Sequence, residues 1–426
     1  KLAGTFIDYH SEFVDNVDGA KRDTTLENQQ YTLGYTFSRP DIPLVDFSAK
    51  AYKNTTNLKQ IRLNGSQYDP AGSRRSFEVE TTGFDVFNTS RFDFGNTKVA
   101  FTYGGDAFED QVVTSGYGTE LTPSGRRTAS GAFAQGKVTF FDTLDIITAL
   151  RYDHYELKGG DVHSEGDRVS PKITAGITPF NGVTIFATYA EGYRAPAITE
   201  TLIEGTHSPP ATFPLLPNPD LKPEVAHNLE GGINIKRDNV LSSNDMFRAK
   251  LVAFQNKVDD YIDAVYEFGA YPPFGFALKY ENIQKATIEG IELEAFYDTR
   301  LWFVGLGAHR IRGKNDDTGA PLATIPADQV TLTLGMRAFD EKLVAGTRVR
   351  FVAAQERVPV PPPTSPDIPW LATAGYTVVD LFGEYQLNEN ATINVNIDNL
   401  FDKEYRQYLD LENSPGFSAR VGLTMR

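Results

Sequence analysis

Apolar residues recur at every second position over long stretches of this chain, and that period restricts the possible folds more than any other feature of the sequence. In Thr392–Leu400, Ile393, Val395 and Ile397 share one face, and Thr392, Asn394, Asn396 and Asp398 share the other. Val330, Leu332, Leu334 and Met336 alternate with Thr331, Thr333, Gly335 and Arg337, and Ile291, Leu293, Ala295 and Tyr297 alternate with Glu292, Glu294 and Phe296. No run of eighteen apolar residues occurs, which excludes a transmembrane helix. Membrane-crossing β-strands remain open, because a strand crosses in about 9–11 residues with only alternate ones apolar. A soluble sandwich also alternates, but its strands are short. Here the polar faces carry carboxylates, guanidinium groups and amides over long stretches, as a water-filled lumen requires when the opposite face meets lipid.

The breaks between strands sharpen this expectation. Short turn-rich breaks fall at Ser38–Pro43, Phe94–Thr97, Phe141–Thr143, Pro179–Gly182, Asp298–Arg300, Phe339–Lys342 and Leu387–Ala391. Longer polar or Pro/Gly-rich breaks lie between them, at Arg62–Arg75, Ser115–Arg127, Lys158–Arg168, Ala197–Pro223 and Pro359–Ala374. Alternating short and long connections define an all-β, antiparallel up-and-down transmembrane barrel with short periplasmic turns and long extracellular loops. About eighteen strands are counted. The Val358–Pro363 run reads as a stiff loop. In the final segment, Gly416–Arg426, Phe417, Ala419, Val421, Leu423 and Met425 share one face.

Composition narrows the function. Aromatic residues make up 12% of the chain, which argues against disorder. The absence of cysteine excludes disulfides, thiolate metal sites and cysteine nucleophiles from this chain. A formal net charge of −15 opposes nucleic-acid binding, which requires basic patches. No G-x-S-x-G, P-loop, H-E-x-x-H or G-x-G-x-x-G pattern occurs, so no enzymatic activity is expected. Glu292 and Glu294 repeat at strand period and read as lumen wall, not as a glycosidase pair. Lys1–Phe6 is already strand-like and no signal peptide precedes it, so a processed precursor or a part of something longer is expected.

Several segments carry a resemblance to a known family. Ser170–Pro196 (SPKITAGITPFNGVTIFATYAEGYRAP) ends in an aromatic-Arg-Ala-Pro motif, and Asn218–Glu224 (NPDLKPE) follows it. Further on come Ile288–Tyr297 (IEGIELEAFY), Val379–Tyr385 (VDLFGEY) and Asn399–Tyr405 (NLFDKEY). With these motifs the whole of residues 1–426 resembles the barrel of a TonB-dependent outer-membrane receptor. The resemblance implies a 22-stranded barrel whose N-terminal plug and first strands lie upstream of Lys1, and whose last strand ends on an aromatic residue after Arg426. It also implies energy coupling through TonB, ExbB and ExbD at the periplasmic face, contact with outer-membrane lipid and lipopolysaccharide, and a monomeric state.

Within the family the haem-receptor group is the nearest in pattern. Its members place a histidine between the two loop motifs, and here Tyr193, Arg194, Ala195 and Pro196 precede His207 while Asn218, Pro219, Asp220 and Leu221 follow it. The first motif departs by Tyr for Phe and the second by Asp for Asn. Neutral imidazole is a good axial ligand for haem iron. Phe213, Leu215 and Leu216 would offer apolar contact to a porphyrin, with Pro209, Pro210 and Pro214 stiffening the loop. The alternative is that His207 is an exposed loop residue whose apolar neighbours fold the loop on itself. The second haem ligand in such receptors lies on the plug. His154 and His163 are weaker candidates, while His10, His227 and His309 fall in strand patterns as lumen or interface residues. Arg194, Pro196, Asn218 and Pro219 are expected to be architectural, the prolines fixing φ at corners and the polar side chains satisfying backbone groups. The expected activity is uptake of haem, free or from a haemoprotein. A ferric-siderophore receptor is the first alternative and a passive porin the second.

Overall fold

The computed structural model describes the chain except residues 18–19, 66–69, 120, 207–212, 273–274, 360–371, 411 and 426. Among the described residues there are twenty strands and one five-residue helix. They run β1 (Leu2–Val17), β2 (Ala20–Ser38), β3 (Asp46–Arg62), β4 (Arg74–Asp93), β5 (Thr97–Gly116), β6 (Gly125–Phe140) and β7 (Leu144–Gly159). Next come β8 (Val162–Phe180), β9 (Val183–Arg194), α1 (Ile198–Leu202), β10 (Gly205–Thr206), β11 (Pro214–Leu216) and β12 (Glu224–Asp238). The remainder are β13 (Met246–Phe268), β14 (Phe276–Asp298), β15 (Trp302–Asn315), β16 (Gln329–Ala338), β17 (Leu343–Val352), β18 (Tyr376–Asn388), β19 (Ala391–Asp398) and β20 (Ser418–Met425). Of the twenty, β10 and β11 are two and three residues long and belong to one loop. The other eighteen agree with the sequence count.

The chain divides into two compact units: Lys1–Thr174, Ala190–His227 and Val258–Gln284 form the first, and Ala175–Tyr189, Asn228–Lys257 and Lys285–Arg426 the second. In the first, β1 to β7 form an antiparallel meander, each strand paired with the next. One face exposes Phe6, Tyr31, Phe84, Tyr103, Leu150 and Tyr152. The other carries cross-strand ion pairs. Arg151 donates to both oxygens of Asp106 at 2.8 and 3.1 Å, and within its own strand to Asp153 at 2.7 Å, and Arg127 reaches Asp110 at 2.9 Å. An apolar face against a hydrated, internally paired face is the profile of a strand between lipid and an aqueous lumen.

The second unit repeats the pattern. From Lys285 onward, β14 to β20 pair consecutively and antiparallel. Trp302 stands opposite Met336, Ile393 opposite Leu423 and Val395 opposite Val421, while Arg420 pairs with Asp398 on the polar face. The short turns present large apolar residues: Phe141 is 69% exposed, Phe180 68% and Phe339 68%. Aromatic rings at the strand ends sit where a bilayer interface holds them. This is a transmembrane antiparallel up-and-down β-barrel fold.

The seven short turns predicted from sequence all lie between paired strands. The long break predicted at Lys158–Arg168 does not exist. β7 and β8 join through a tight turn at Gly160–Asp161, where Gly160 has φ of 55°, and His163 is a strand residue. Beyond the lipid both faces of a strand meet water, so alternation fades and a polar strand reads as a loop.

Two motifs of the family resemblance meet at the end of β19. The Asn399 amide donates to Asp380 at 2.9 Å and the Leu400 amide to the Val379 carbonyl at 2.8 Å. Asn399 takes φ of 53°, which asparagine tolerates better than most residues. Its side chain donates to the Lys403 carbonyl at 2.9 Å and accepts from the Lys403 amide at 2.8 Å. Asp402 accepts from the Phe417 amide at 2.8 Å, closing the turn that leads to β20.

Candidate functional site

The loop between β9 and β12, which pair with each other, is folded and not merely long. It lies in the first unit and rests on two apolar clusters. Ile198 and Leu202 of α1 pack with Tyr155 and Leu157 of β7, with Tyr193 and Ala195 at the edge. Leu202 approaches so closely that a Cβ on Gly159 would meet its methyl at 2.1 Å, so a larger residue there would force Leu202 to shift. The second cluster joins Ile203, Phe213, Leu215 and Phe276, with Leu121, Tyr266, Leu278 and Tyr280 around them. The Phe213 ring lies 5.2 Å from that of Phe276. β10 and β11 pair antiparallel, with Gly205 opposite Leu215 and Thr206 opposite Pro214, and β11 runs parallel to β14 at Leu278 and Lys279.

A charged clasp fastens the loop at both ends. Arg194 closes β9 and donates to Glu224, the first residue of β12, through Nε at 2.5 Å and Nη2 at 2.7 Å. Its Nη1 donates to both oxygens of Glu200 in α1, at 3.0 and 2.9 Å. Glu200 in turn accepts from the Ala197 amide at 2.8 Å, and Glu224 from the Ile262 amide of β13 at 2.8 Å. One guanidinium thus ties three segments of chain through bidentate, charge-assisted bonds. Sequence reasoning expected Arg194 to bond backbone groups, but its partners are carboxylates. Glu200 received no role from sequence, and Glu224 was read only as the end of a motif. The available signal was an Arg with acidic residues six and thirty positions later, and chain spacing alone does not show that they meet.

Asn218 does bond to backbone. Its Nδ2 donates to the Tyr280 carbonyl at 2.8 Å, its amide to the Thr201 carbonyl at 3.0 Å, and its Oδ1 accepts from the Asp220 amide at 3.2 Å. Pro196 and Leu221 are buried, whereas Pro219 and Asp220 are exposed.

His207, with Pro209 and Pro210, lies outside the described residues. Its described neighbours are Thr206 at the end of β10 and Phe213 just before β11. Phe213 and Leu215 are 7% and 5% exposed and form the core of the loop, so neither presents a surface to a ligand; Leu216 is half-buried. Tyr155 and Leu157 face the loop, so His154, at the alternate parity of β7, faces away from it. His163 falls on that same outer face, because Ser164 beside it bonds the Tyr155 hydroxyl at 3.1 Å. Its ring nitrogens lie 3.7 Å from Glu156 and 3.6 Å from Glu165, the one His/carboxylate group of three among the described residues. Neither histidine shares the loop's face. Of the others, His10 lies beside Glu12 and Glu27, His227 between Glu191 and Asp259, and the His309 ring bonds the Ala327 carbonyl at 3.1 Å.

The chain belongs to the family described as "TonB dependent receptor-like, beta-barrel", whose pattern matches residues 3–400. This is a family of outer-membrane receptors and transporters. The chain is 27% identical over 429 residues to the heme/hemopexin utilization protein C of Haemophilus influenzae, covering 94% of this chain and 57% of that protein. It is 29% identical over 393 residues to the hemin receptor of Yersinia enterocolitica, covering 88% of this chain and 55% of the relative. It therefore spans little more than half the length of these curated relatives. Among solved structures, the Serratia marcescens hemophore receptor HasR, in complex with its hemophore and heme, superposes with a TM-score of 0.82 at 23% identity, covering 100% of this chain and 68% of that one. That likeness concerns the fold.

Proposed function

We propose that this chain is the barrel portion of an outer-membrane active transporter that takes up haem for iron acquisition, with its plug and first strands upstream of Lys1. The observation that carries the reading is the match, over most of this chain, to relatives named for heme and hemin. In this role the barrel is a passage and a capture surface and performs no catalysis. Haem, free or handed over by a haemoprotein, is the cargo, and a plug rearrangement driven through TonB, ExbB and ExbD would admit it.

His207 is the proposed axial ligand. A neutral imidazole supplies a lone pair to haem iron, and the β10–β11 hairpin supports the segment that carries it. The apolar contribution of Phe213 and Leu215 is then indirect, since they hold the hairpin in place. The clasp of Arg194 on Glu200 and Glu224 fixes the described base of the loop.

Titration of the full-length receptor with haemin, followed at the Soret band, tests the assignment. The expected result is a ligated spectrum that weakens or shifts in His207→Ala. An unchanged spectrum and affinity in the variant would remove His207 as a ligand. Failure of the full-length protein to bind haem, with binding of a ferric siderophore instead, would replace the haem reading by the siderophore one.

A further inference from the structure

The extracellular end of the β7–β8 hairpin gathers metal-ligating side chains on its outer face, away from the clasped loop. On β7 the exposed Leu150 and Tyr152 share their parity with Glu156. On β8 the exposed Ile173 and Val169 share theirs with Glu165 and His163. Both rows therefore leave the membrane as apolar residues and reach the turn at Gly160–Asp161 as carboxylates and an imidazole. One ring nitrogen of His163 and one oxygen each of Glu156 and Glu165 lie within 4.8 Å of one another.

The spacing is that of ligands, not of hydrogen-bonded partners. His163 Nδ1 stands 3.7 Å from Glu156 and Nε2 3.6 Å from Glu165, both too long for hydrogen bonds. Two ligands each about 2.1 Å from a tetrahedral ion stand about 3.4 Å apart. A single nitrogen ligates, so one carboxylate must swing to meet it, and Glu165, 64% exposed, is free to do so. The hairpin backbone already sets the three Cα positions, which leaves only rotamers to be ordered on binding. Lys158 is the competitor in the unliganded state. Its ammonium lies 2.5 Å from the same Glu156 oxygen that faces His163, and it holds that carboxyl ionised, below its usual range. With its side chain 56% exposed, it can turn to water when a dication arrives. One imidazole with two carboxylates suits a borderline ion such as Zn²⁺ better than Mg²⁺ or Ca²⁺, which prefer oxygen alone.

We infer that Glu156, His163 and Glu165 form a surface site for a divalent first-row transition ion of the zinc type, its remaining coordination positions open to water. The inference does not depend on haem as cargo. The test uses the untagged full-length receptor in detergent, stripped with a chelator and titrated with Zn²⁺ against a chromophoric indicator in excess Mg²⁺ and Ca²⁺. Folded migration on a gel checks each variant's barrel. The expected result is a Zn²⁺ site that His163→Ala and Glu165→Gln each weaken by roughly tenfold or more. Lys158→Gln should tighten it by roughly threefold, because it frees the shared oxygen. His227→Ala, whose ring also stands between two carboxylates, should leave it unchanged. Zn²⁺ affinity that neither His163→Ala nor Glu165→Gln moves, an equal loss in His227→Ala, or displacement of Zn²⁺ by Mg²⁺ or Ca²⁺ would overturn the proposal.

Discussion

Replacing Arg194 with alanine should release the loop between β9 and β12 without unfolding the barrel. The substitution removes four hydrogen bonds to two carboxylates and leaves Glu224, 9% exposed, with the Ile262 amide still donating to it. Breaking a fully buried ion pair costs about 3–5 kcal/mol. Here the Arg194 side chain is 44% exposed, so water screens the pair and resolvates much of what is lost. About 2 kcal/mol is a reasonable expectation after that discount. Because the clasp fastens the loop's ends, the loss should appear as local opening, with the open population rising roughly thirtyfold. Hydrogen–deuterium exchange across residues 195–223 would read this directly, with β3–β5 as the internal reference. Arg194→Lys should fall between, since one ammonium cannot reproduce a fork gripping two carboxylates. Unchanged protection of the loop, or a uniform loss throughout the barrel, would refute the clasp.

Three further outcomes follow from the same contacts. Phe276→Ala empties the centre of the second loop cluster, where Phe276 is fully buried against Phe213 and Tyr266, and should destabilise the loop by about 3 kcal/mol in the same exchange assay. Asp245, in the turn between β12 and β13, is pushed up by burial but held down more strongly, to about 2, by the Tyr297 hydroxyl and the amides of Val240, Leu241 and Ser242. Because its folded value is depressed from 3.8, its contribution is present above about pH 4 and lost as pH falls towards 2; exchange of amides 240–242 should rise over that window, and Asp245→Asn should flatten the dependence. Asn399→Ala loses the side-chain bonds to Lys403 and puts alanine at φ of 53°, costing about 2–3 kcal/mol, and should lower the temperature at which the folded barrel converts to its slower-migrating unfolded form on a gel.

The barrel was legible because a strand between lipid and water must alternate, as Ile393–Val395–Ile397 does, and because its turns concentrate residues such as Phe141–Thr143 that break pairing. Alternation fails as a signal where both faces meet water, which hid the continuation of β7 and β8 past the membrane and moved His163 from a loop to a strand. The loop motifs were legible as corners but not as contacts. Tyr193–Pro196 and Asn218–Leu221 marked where the chain turns, while the ion pairs linking Arg194 to Glu200 and Glu224 depend on three-dimensional proximity that no local pattern encodes. Phe213 and Leu215 show the same limit. Apolar residues in a loop suit a ligand surface and a private core equally well by sequence, and burial places these two in a core.

The central claim is that the full-length protein carries haem across the outer membrane. Growth of a haem-auxotrophic, receptor-deficient bacterium on haemin, with the full-length gene supplied and TonB present or deleted, tests it most directly. The account predicts growth that requires both the gene and TonB and that falls sharply in His207→Ala. Growth independent of TonB would indicate a passive pore, and no haem-dependent growth alongside rescue by a ferric siderophore would contradict the account.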